Sequence, residues 1–175
     1  MRKRNNFVFK ALHVVAWVIF IGLSIQAGLL IVSFGFTLFK PEMVSQELDL
    51  SAMYEQSQWA FYRMYSFLVV VALMKAALFY VLIVLLQKLD LSNPFSEFVV
   101  NKVKSIAYYT FMIGIVSLIA RQDTKNLLRF GYEIDLLNQF WVDSQAYILM
   151  AAVIYVIAQI FKRGVEIQNE NDLTV

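Results

Sequence analysis

The chain has 175 residues, of which 60% are hydrophobic and 16% are charged, and its formal net charge is +2. Soluble domains average about 45–50% apolar and about 25% charged residues, so this composition nearly excludes a soluble enzyme domain. The sequence contains no cysteine and a single histidine, His13, which excludes disulfides, zinc ribbons, iron–sulfur clusters and a bis-histidine haem within one chain. We therefore expect a small helical membrane protein without a metal or other cofactor.

Four apolar segments, at about residues 7–39, 59–86, 97–120 and 144–162, are long enough to cross a bilayer. The hydrocarbon core is about 30 Å thick, and an α-helix crosses it with roughly 20 residues. Arg2, Lys3 and Arg4 precede the first segment. Basic residues also precede the apolar region of a signal peptide. The apolar run of the first segment is roughly twice the length of the apolar region of a signal peptide, so we expect it to remain in the protein as a span.

Two segments next to the spans have helical signals of their own. Ser92-Asn93-Pro94-Phe95 indicates a helix start, with Ser92 or Asn93 as the cap and Pro94 at the first helical position. Residues 124–141 have apolar side chains three or four apart, which predicts an amphipathic helix on the outer membrane surface or capping the bundle. These side chains belong to Leu127, Phe130, Ile134, Leu137 and Trp141.

Lysine and arginine residues near the span ends predict the orientation, because cytoplasmic loops carry an excess of them. One side has four, Lys40, Arg121, Lys125 and Arg129. The side of the two termini has nine, namely Arg2, Lys3, Arg4, Lys10, Lys88, Lys102, Lys104, Lys162 and Arg163. The sequence thus predicts an all-α, integral membrane four-helix bundle, formed as a single domain over residues 1–175. Both termini are expected in the cytoplasm, with residues 163–175 as a cytoplasmic tail.

Lys75 lies about midway through the apolar run 67–86. A charged lysine at the centre of a span costs roughly 2.5–3.5 kcal/mol, so we expect it to face the bundle interior or a wet cavity. No Asp or Glu lies within the apolar cores of the four segments, which leaves polar partners such as Gln26. Two interpretations remain open: a site for an anionic or polar ligand or another membrane subunit, and a lysine that fixes helix packing through hydrogen bonds.

The other polar and small residues of the first segment favour structural roles. Gln26, near mid-depth, is expected to form a hydrogen bond across helices, and His13 lies near the cytoplasmic end without a carboxylate neighbour in sequence. Gly22, Gly28 and Gly35 indicate a face where another helix approaches closely. Lys75 and Gln26 are therefore the candidate intramembrane polar site.

No catalytic signature is present in the sequence. HExxH, a Gly-rich phosphate loop and GxSxG are all absent, so we expect no catalytic residues, no metal site and no enzyme activity. The basic residues on the cytoplasmic side follow the positive-inside rule and do not indicate direct nucleic-acid binding.

The tail after the fourth segment is a candidate partner-binding element. Lys162 and Arg163 anchor the helix end at the inner surface, and Gly164 either ends the helix or loosens its last turn. The tail beyond is acidic, and an apolar extended end can add to a partner's sheet edge or groove. Its candidate contact residues are Gly164, Glu166, Gln168, Glu170, Asn171, Asp172, Leu173, Thr174 and Val175.

Those tail residues, with the Asn93-Pro94-Phe95 turn and Gly22-Leu23, resemble the bacterial four-helix membrane protein family catalogued as domain of unknown function family 2975. Chains of that family commonly finish in Gly-x-Glu-Leu-Gln-x-Glu-Asn-(Glu/Asp)-Leu-Thr-Val, and Ile167 stands where leucine is usual. The resemblance implies a multi-pass protein of the bacterial plasma (inner) membrane without an established biochemical activity. It also implies a neighbouring small helix-turn-helix regulator of the phage-repressor type.

The sequence therefore leads to one main hypothesis and two alternatives. The main hypothesis is a non-enzymatic sensor or membrane partner of a cytoplasmic helix-turn-helix regulator, with contacts from residues 93–104 and the tail. The first alternative is a small transporter, channel or immunity-type protein with Lys75 and Gln26 on a polar path. The second is an accessory subunit of a larger membrane complex, and a homo-oligomer is compatible with each of them.

Overall fold

The computed structural model describes residues 2–39, 51–90, 94–132, 137 and 139–172, and this part of the chain is helical without a strand. Its helices are α1 (Arg2–Phe39), α2 (Ser51–Gln56), α3 (Gln58–Lys88), α4 (Glu97–Arg129) and α5 (Ser144–Asp172). All except α2 are long and apolar enough to cross a membrane. The predicted all-α fold with four spans is confirmed.

The long helices pack side by side in chain order. Within the described ranges, the substantial contacts join α1 to α3, α3 to α4 and α4 to α5, and α2 packs on α3. Ring contacts between Phe20 and Tyr80 and between Phe34 and Tyr62 show that α1 and α3 are antiparallel. We use "tail end" for the end of the bundle that holds the start of α1, the end of α3, the start of α4 and the end of α5. The opposite end is called the loop end.

Contacts at both ends of α3 and α4 make these two helices antiparallel as well. At the loop end, Arg63 Nε lies 2.6 Å from Asp123 Oδ2. At the tail end, Lys88 Nζ lies 5.6 Å from the centroid of the Phe98 ring. Phe95 contacts Phe161 while Gly114 lies beside Ile148, so α4 and α5 are antiparallel too, and consecutive long helices run up and down.

The aromatic core of the protein lies toward the loop end. Phe61, Met64 and Tyr65 of α3 are fully enclosed, with 0% of each residue exposed. They pack with buried side chains of α2 and α4 and with Leu137 and Trp141 from the connection between α4 and α5. This core holds together α2, α3, α4 and the connection between α4 and α5, so it stabilises the loop end of the bundle.

The predicted amphipathic helix over 124–141 is wrong in its boundaries. Residues up to Arg129 continue α4, Phe130 is its C-cap with 81% of its surface exposed, and Gly131 has a φ of +86°. A left-handed glycine ends a helix without a steric penalty. Leu137 and Trp141 are buried in the core, so these described residues of the segment pack against the bundle. Ile134 lies outside the described residues.

The surface of α1 is largely exposed and apolar, as a surface in contact with lipid would be. Only 11% of its most apolar 18-residue stretch is buried, and Val14, Val18 and Leu29 are 61%, 65% and 63% exposed. Contiguous apolar surface of this extent is uncommon on soluble monomers. The burial pattern therefore supports the membrane assignment that hydropathy predicts.

The start of α4 differs from the prediction by about one turn. Ser96 is the N-cap, with extended backbone angles and a hydroxyl that accepts from the Val99 amide at 3.4 Å. Pro94 precedes the helix, so it does not occupy the first helical position. The predicted caps Ser92 and Asn93 lie outside the described residues. The hydroxyl of Ser96 satisfies an orphan amide of the first turn, which explains why the helix begins there.

Candidate functional sites

Lys75 and Gln26, which the sequence singles out, line one small cavity. The cavity has a volume of about 30 Å³, enough for about one water molecule. Gln26 reaches it from α1 and Lys75 from α3, and apolar side chains complete the wall. These apolar side chains belong to Leu30, Leu68, Val71, Ala72, Phe140 and Trp141.

Lys75 also meets the beginning of α5. Its Nζ lies 5.8 Å from the centroid of the Tyr147 ring, within the range of a cation–π contact. Asp143 lies one helical turn before Tyr147, whose amide donates to the Asp143 carbonyl at 3.1 Å, and its negative charge favours the ammonium. The ammonium thus has an aromatic face and a carboxylate to offset part of its desolvation cost.

Sequence reasoning missed Asp143 because this residue lies just outside the fourth apolar segment. Asp143 comes near Lys75 because α5 begins deep in the bundle. A Cβ built on Gly114, in the middle of α4, would lie 3.2 Å from the Ser144 carbonyl oxygen. The first residues of α5 therefore sit at mid-length of α4, deeper than the outer ends of α3 and α4. The available signal was that the fourth apolar run, which is uncharged up to Lys162, follows directly on the charge of Asp143.

Trp141 lines the same cavity and carries a buried polar atom. The residue is 1% exposed, and its Nε1 has no hydrogen-bond partner within the described part of the chain. A buried indole N–H without a partner costs free energy unless a water or small polar molecule accepts from it. The cavity has room for about one water molecule beside this side chain.

A second candidate site lies at the tail end, where α5 passes the start of α4. The Phe95 and Phe161 rings have centroids 5.5 Å apart. A Cβ on Gly164 would lie 2.6 Å from Phe95 Cδ1, so glycine allows this close approach. Gly164 does not end the helix, which continues to Asp172. Val165 is buried against α4, and this packing favours helix over an extended tail.

The two helices enclose a polar groove, which we call the tail surface. It has a volume of about 350 Å³. Glu166 Oε2 lies 2.9 Å from Arg163 Nη1, and Glu166 Oε1 lies 3.7 Å from Lys162 Nζ. The tail surface therefore carries charges of both signs. Its lining residues are Glu97, Val100, Asn101, Lys104, Lys162, Val165, Glu166 and Asn169.

The predicted tail residues divide into three groups in the structure. Gly164 and Glu166 belong to the contact with α4, and Gln168 is partly buried. Glu170 and Asn171 are exposed on the last turns of α5. The Asp172 side chain and residues 173–175 lie outside the described part, so the partner-binding role of the extended end stays a prediction.

No metal site is evident in the ranges that the structure covers, where no three His, Cys, Asp or Glu side chains come together. Four long apolar helices, a small polar cavity between them and a charged surface at one end define a multi-pass membrane protein.

A family model described as protein of unknown function (DUF2975) matches residues 44–175, and the chain belongs to that family. The resemblance carried by the tail motif is thereby confirmed. No curated protein and no solved structure is significantly similar to the chain.

Proposed function

We propose that this protein is a non-enzymatic sensor and membrane partner of a small cytoplasmic helix-turn-helix regulator in the bacterial plasma membrane. In this proposal the tail end faces the cytoplasm, and the tail surface holds the regulator or releases it. The regulator itself is suggested by the family resemblance, and the groove at the tail end supports the choice of the proposed binding surface.

One observation carries the proposal. The sequence singles out two separate segments, 93–104 and the tail, as the elements available on the inner face. In the structure the described parts of both pack together through Phe95, Phe161 and Gly164. They form one groove with amide groups and charges of both signs, which suits a folded protein partner.

Sensing requires that the bundle have two states with different affinity for the regulator. A tenfold change in binding needs about 1.4 kcal/mol of differential affinity. A small shift of α5 along α4 would change the tail surface directly, because both walls of the groove belong to these two helices.

The test is capture of the regulator from membranes by the tagged protein. Deleting residues 164–175 is expected to leave the four spans inserted and to abolish capture. Asn169→Arg places a bulky cation on the exposed wall of the tail surface and is expected to weaken capture without shortening the chain. Gln56→Arg, at the loop end, is the matched control and should capture normally. Undiminished capture by the truncated protein would refute the role of the tail.

A second candidate function rests on the shared cavity of Lys75 and Gln26. In a small transporter, channel or immunity-type protein these residues would lie on a polar path that a conformational change opens. Lys75→Met would then remove transport or protection while expression stays normal. If Lys75→Met only stabilises the protein and changes no activity, Lys75 serves packing and this candidate fails.

A further inference from the structure

An apolar groove lies between α4 and α5, next to the tail surface and distinct from it. It has a volume of about 500 Å³, which is within the range of small-molecule sites. Small residues leave the space, because Ala107 and Ala151 are buried where the helices meet and Ala152 lies beside them. We call it the lateral groove.

Bulky aromatic side chains form the rim of the lateral groove. Tyr108, Phe111 and Tyr155 line it and are 62%, 43% and 53% exposed. The stretch lies inside the apolar parts of two candidate spans. At this depth the surrounding solvent is lipid, so the groove requires an apolar occupant.

One charged residue, Lys104, lies at the tail end of the lateral groove. It lines both the lateral groove and the tail surface. The Cα–Cβ bond of a helical residue tilts toward the helix N-terminus, and α4 begins at the tail end. The Lys104 side chain is thus directed toward the membrane surface, where a lysine can place its ammonium among headgroups.

We propose that the lateral groove binds one acyl chain of an anionic phospholipid whose phosphate pairs with Lys104. The apolar groove supplies the contact with the chain, and Lys104 supplies the charge that selects an anionic headgroup over a zwitterionic one. Glu97 and Glu166 are the carboxylates of the adjoining tail surface, and Lys162 and Arg163 pair with Glu166. The proposal stands independently of the regulator.

The test measures bound lipid on the purified protein by native mass spectrometry, with phosphatidylglycerol and phosphatidylcholine of identical chains as probes. Lys104→Gln is expected to reduce the preference for phosphatidylglycerol about tenfold, the loss typical of one charge-assisted contact. Lys125→Gln, an exposed lysine toward the loop end of α4, is the matched control and should keep the preference. An unchanged preference in Lys104→Gln would overturn the assignment of the headgroup.

A second variant tests the groove itself. Ala152→Phe fills it from an exposed position and is expected to lower the occupancy of both lipids, whereas Ala11→Phe on exposed α1 should not. If Ala152→Phe instead dissociates a dimer and leaves bound lipid unchanged, a second copy of the chain occupies the groove and the proposal fails. Regulator capture is not part of either readout, so failure here and failure of the proposed function are distinguishable.

Discussion

At the scale of single residues, glycine positions show how the helices approach each other. The sequence led us to expect close approach at Gly22, Gly28 and Gly35, and this expectation is wrong, because a Cβ at any of them would meet nothing within 4 Å. Close contact occurs at Gly114 and Gly164 instead. Spacing along one helix cannot show this, because the atoms that exclude a Cβ belong to a different helix.

Gly114→Ala should destabilise the protein. The added Cβ would lie 2.6 Å from Ile148 Cγ1 and 3.1 Å from the Ile148 amide nitrogen, so α5 must move away. Overpacking of this kind costs about 1–3 kcal/mol. Thermal unfolding in detergent should show a lower midpoint. Gly28→Ala, which has free space, is the control and should be neutral or stabilising by up to about 1 kcal/mol. Equal midpoints for the two variants would contradict the packing described.

The ion pair between Arg63 and Asp123 should contribute measurably to stability. The two atoms lie 2.6 Å apart, and the Asp123 side chain is only 20% exposed. A double-mutant cycle with Arg63→Gln and Asp123→Asn is expected to give a coupling energy of about 1 kcal/mol, the upper end for partly exposed pairs. The pair Lys162 and Glu166, at 3.7 Å and more exposed, should give less. A larger coupling in the control pair would reverse this ranking.

At the scale of helices, hydropathy predicts the spans well and the helix ends poorly. The third span is predicted to end at Ala120 because Arg121, Asp123 and Lys125 follow, yet α4 continues to Arg129. Charges end an apolar run but not a helix, and Asp123 finds Arg63 on α3. The same limitation applies to α5, because glycine is common both at helix ends and at close contacts. At Gly164, the position of the Phe95 ring shows that this glycine serves a close contact and does not end the helix.

The last turns of α5 should depend on Phe95 for their order. Phe95→Ala removes the ring that packs on Phe161 and Gly164, so local opening of α5 becomes easier. Amide hydrogen exchange of residues 162–169 should then accelerate by about tenfold, which corresponds to about 1.4 kcal/mol. Phe130→Ala, at an 81% exposed position, serves as control. Unchanged exchange in Phe95→Ala would show that α5 holds its last turns without α4.

At the scale of the whole molecule, charge asymmetry predicts which face of the membrane the tail end occupies. The chain has no native cysteine, so single cysteines report accessibility without background. In intact cells a membrane-impermeant maleimide should label Trp59→Cys, at an 82% exposed position of the loop end. Asn169→Cys, exposed at the tail end, should react only after permeabilisation. The opposite pattern would invert the topology and remove the basis for a cytoplasmic partner.

The candidate sites were predictable in part. Lys75 and Gln26 stand out because polar groups are costly in lipid, and the structure brings them to one cavity. Asp143 and Trp141 were missed because their approach depends on how deeply α5 begins. The lateral groove has no sequence signal, since alanine and tyrosine are ordinary residues in a span.

The order of packing has a consequence for how the chain can be assembled. The most extensive contact joins α4 to α5, α1 packs on α3 to form the other hairpin, and α3 with α4 forms the seam between these two hairpins. Each hairpin has a long internal contact of its own, so two polypeptides, 1–90 and 94–175, should insert separately and associate when co-expressed. The Arg63–Asp123 pair lies across that seam, and Asp123→Arg should weaken reassembly of the split halves more than it disturbs the intact chain.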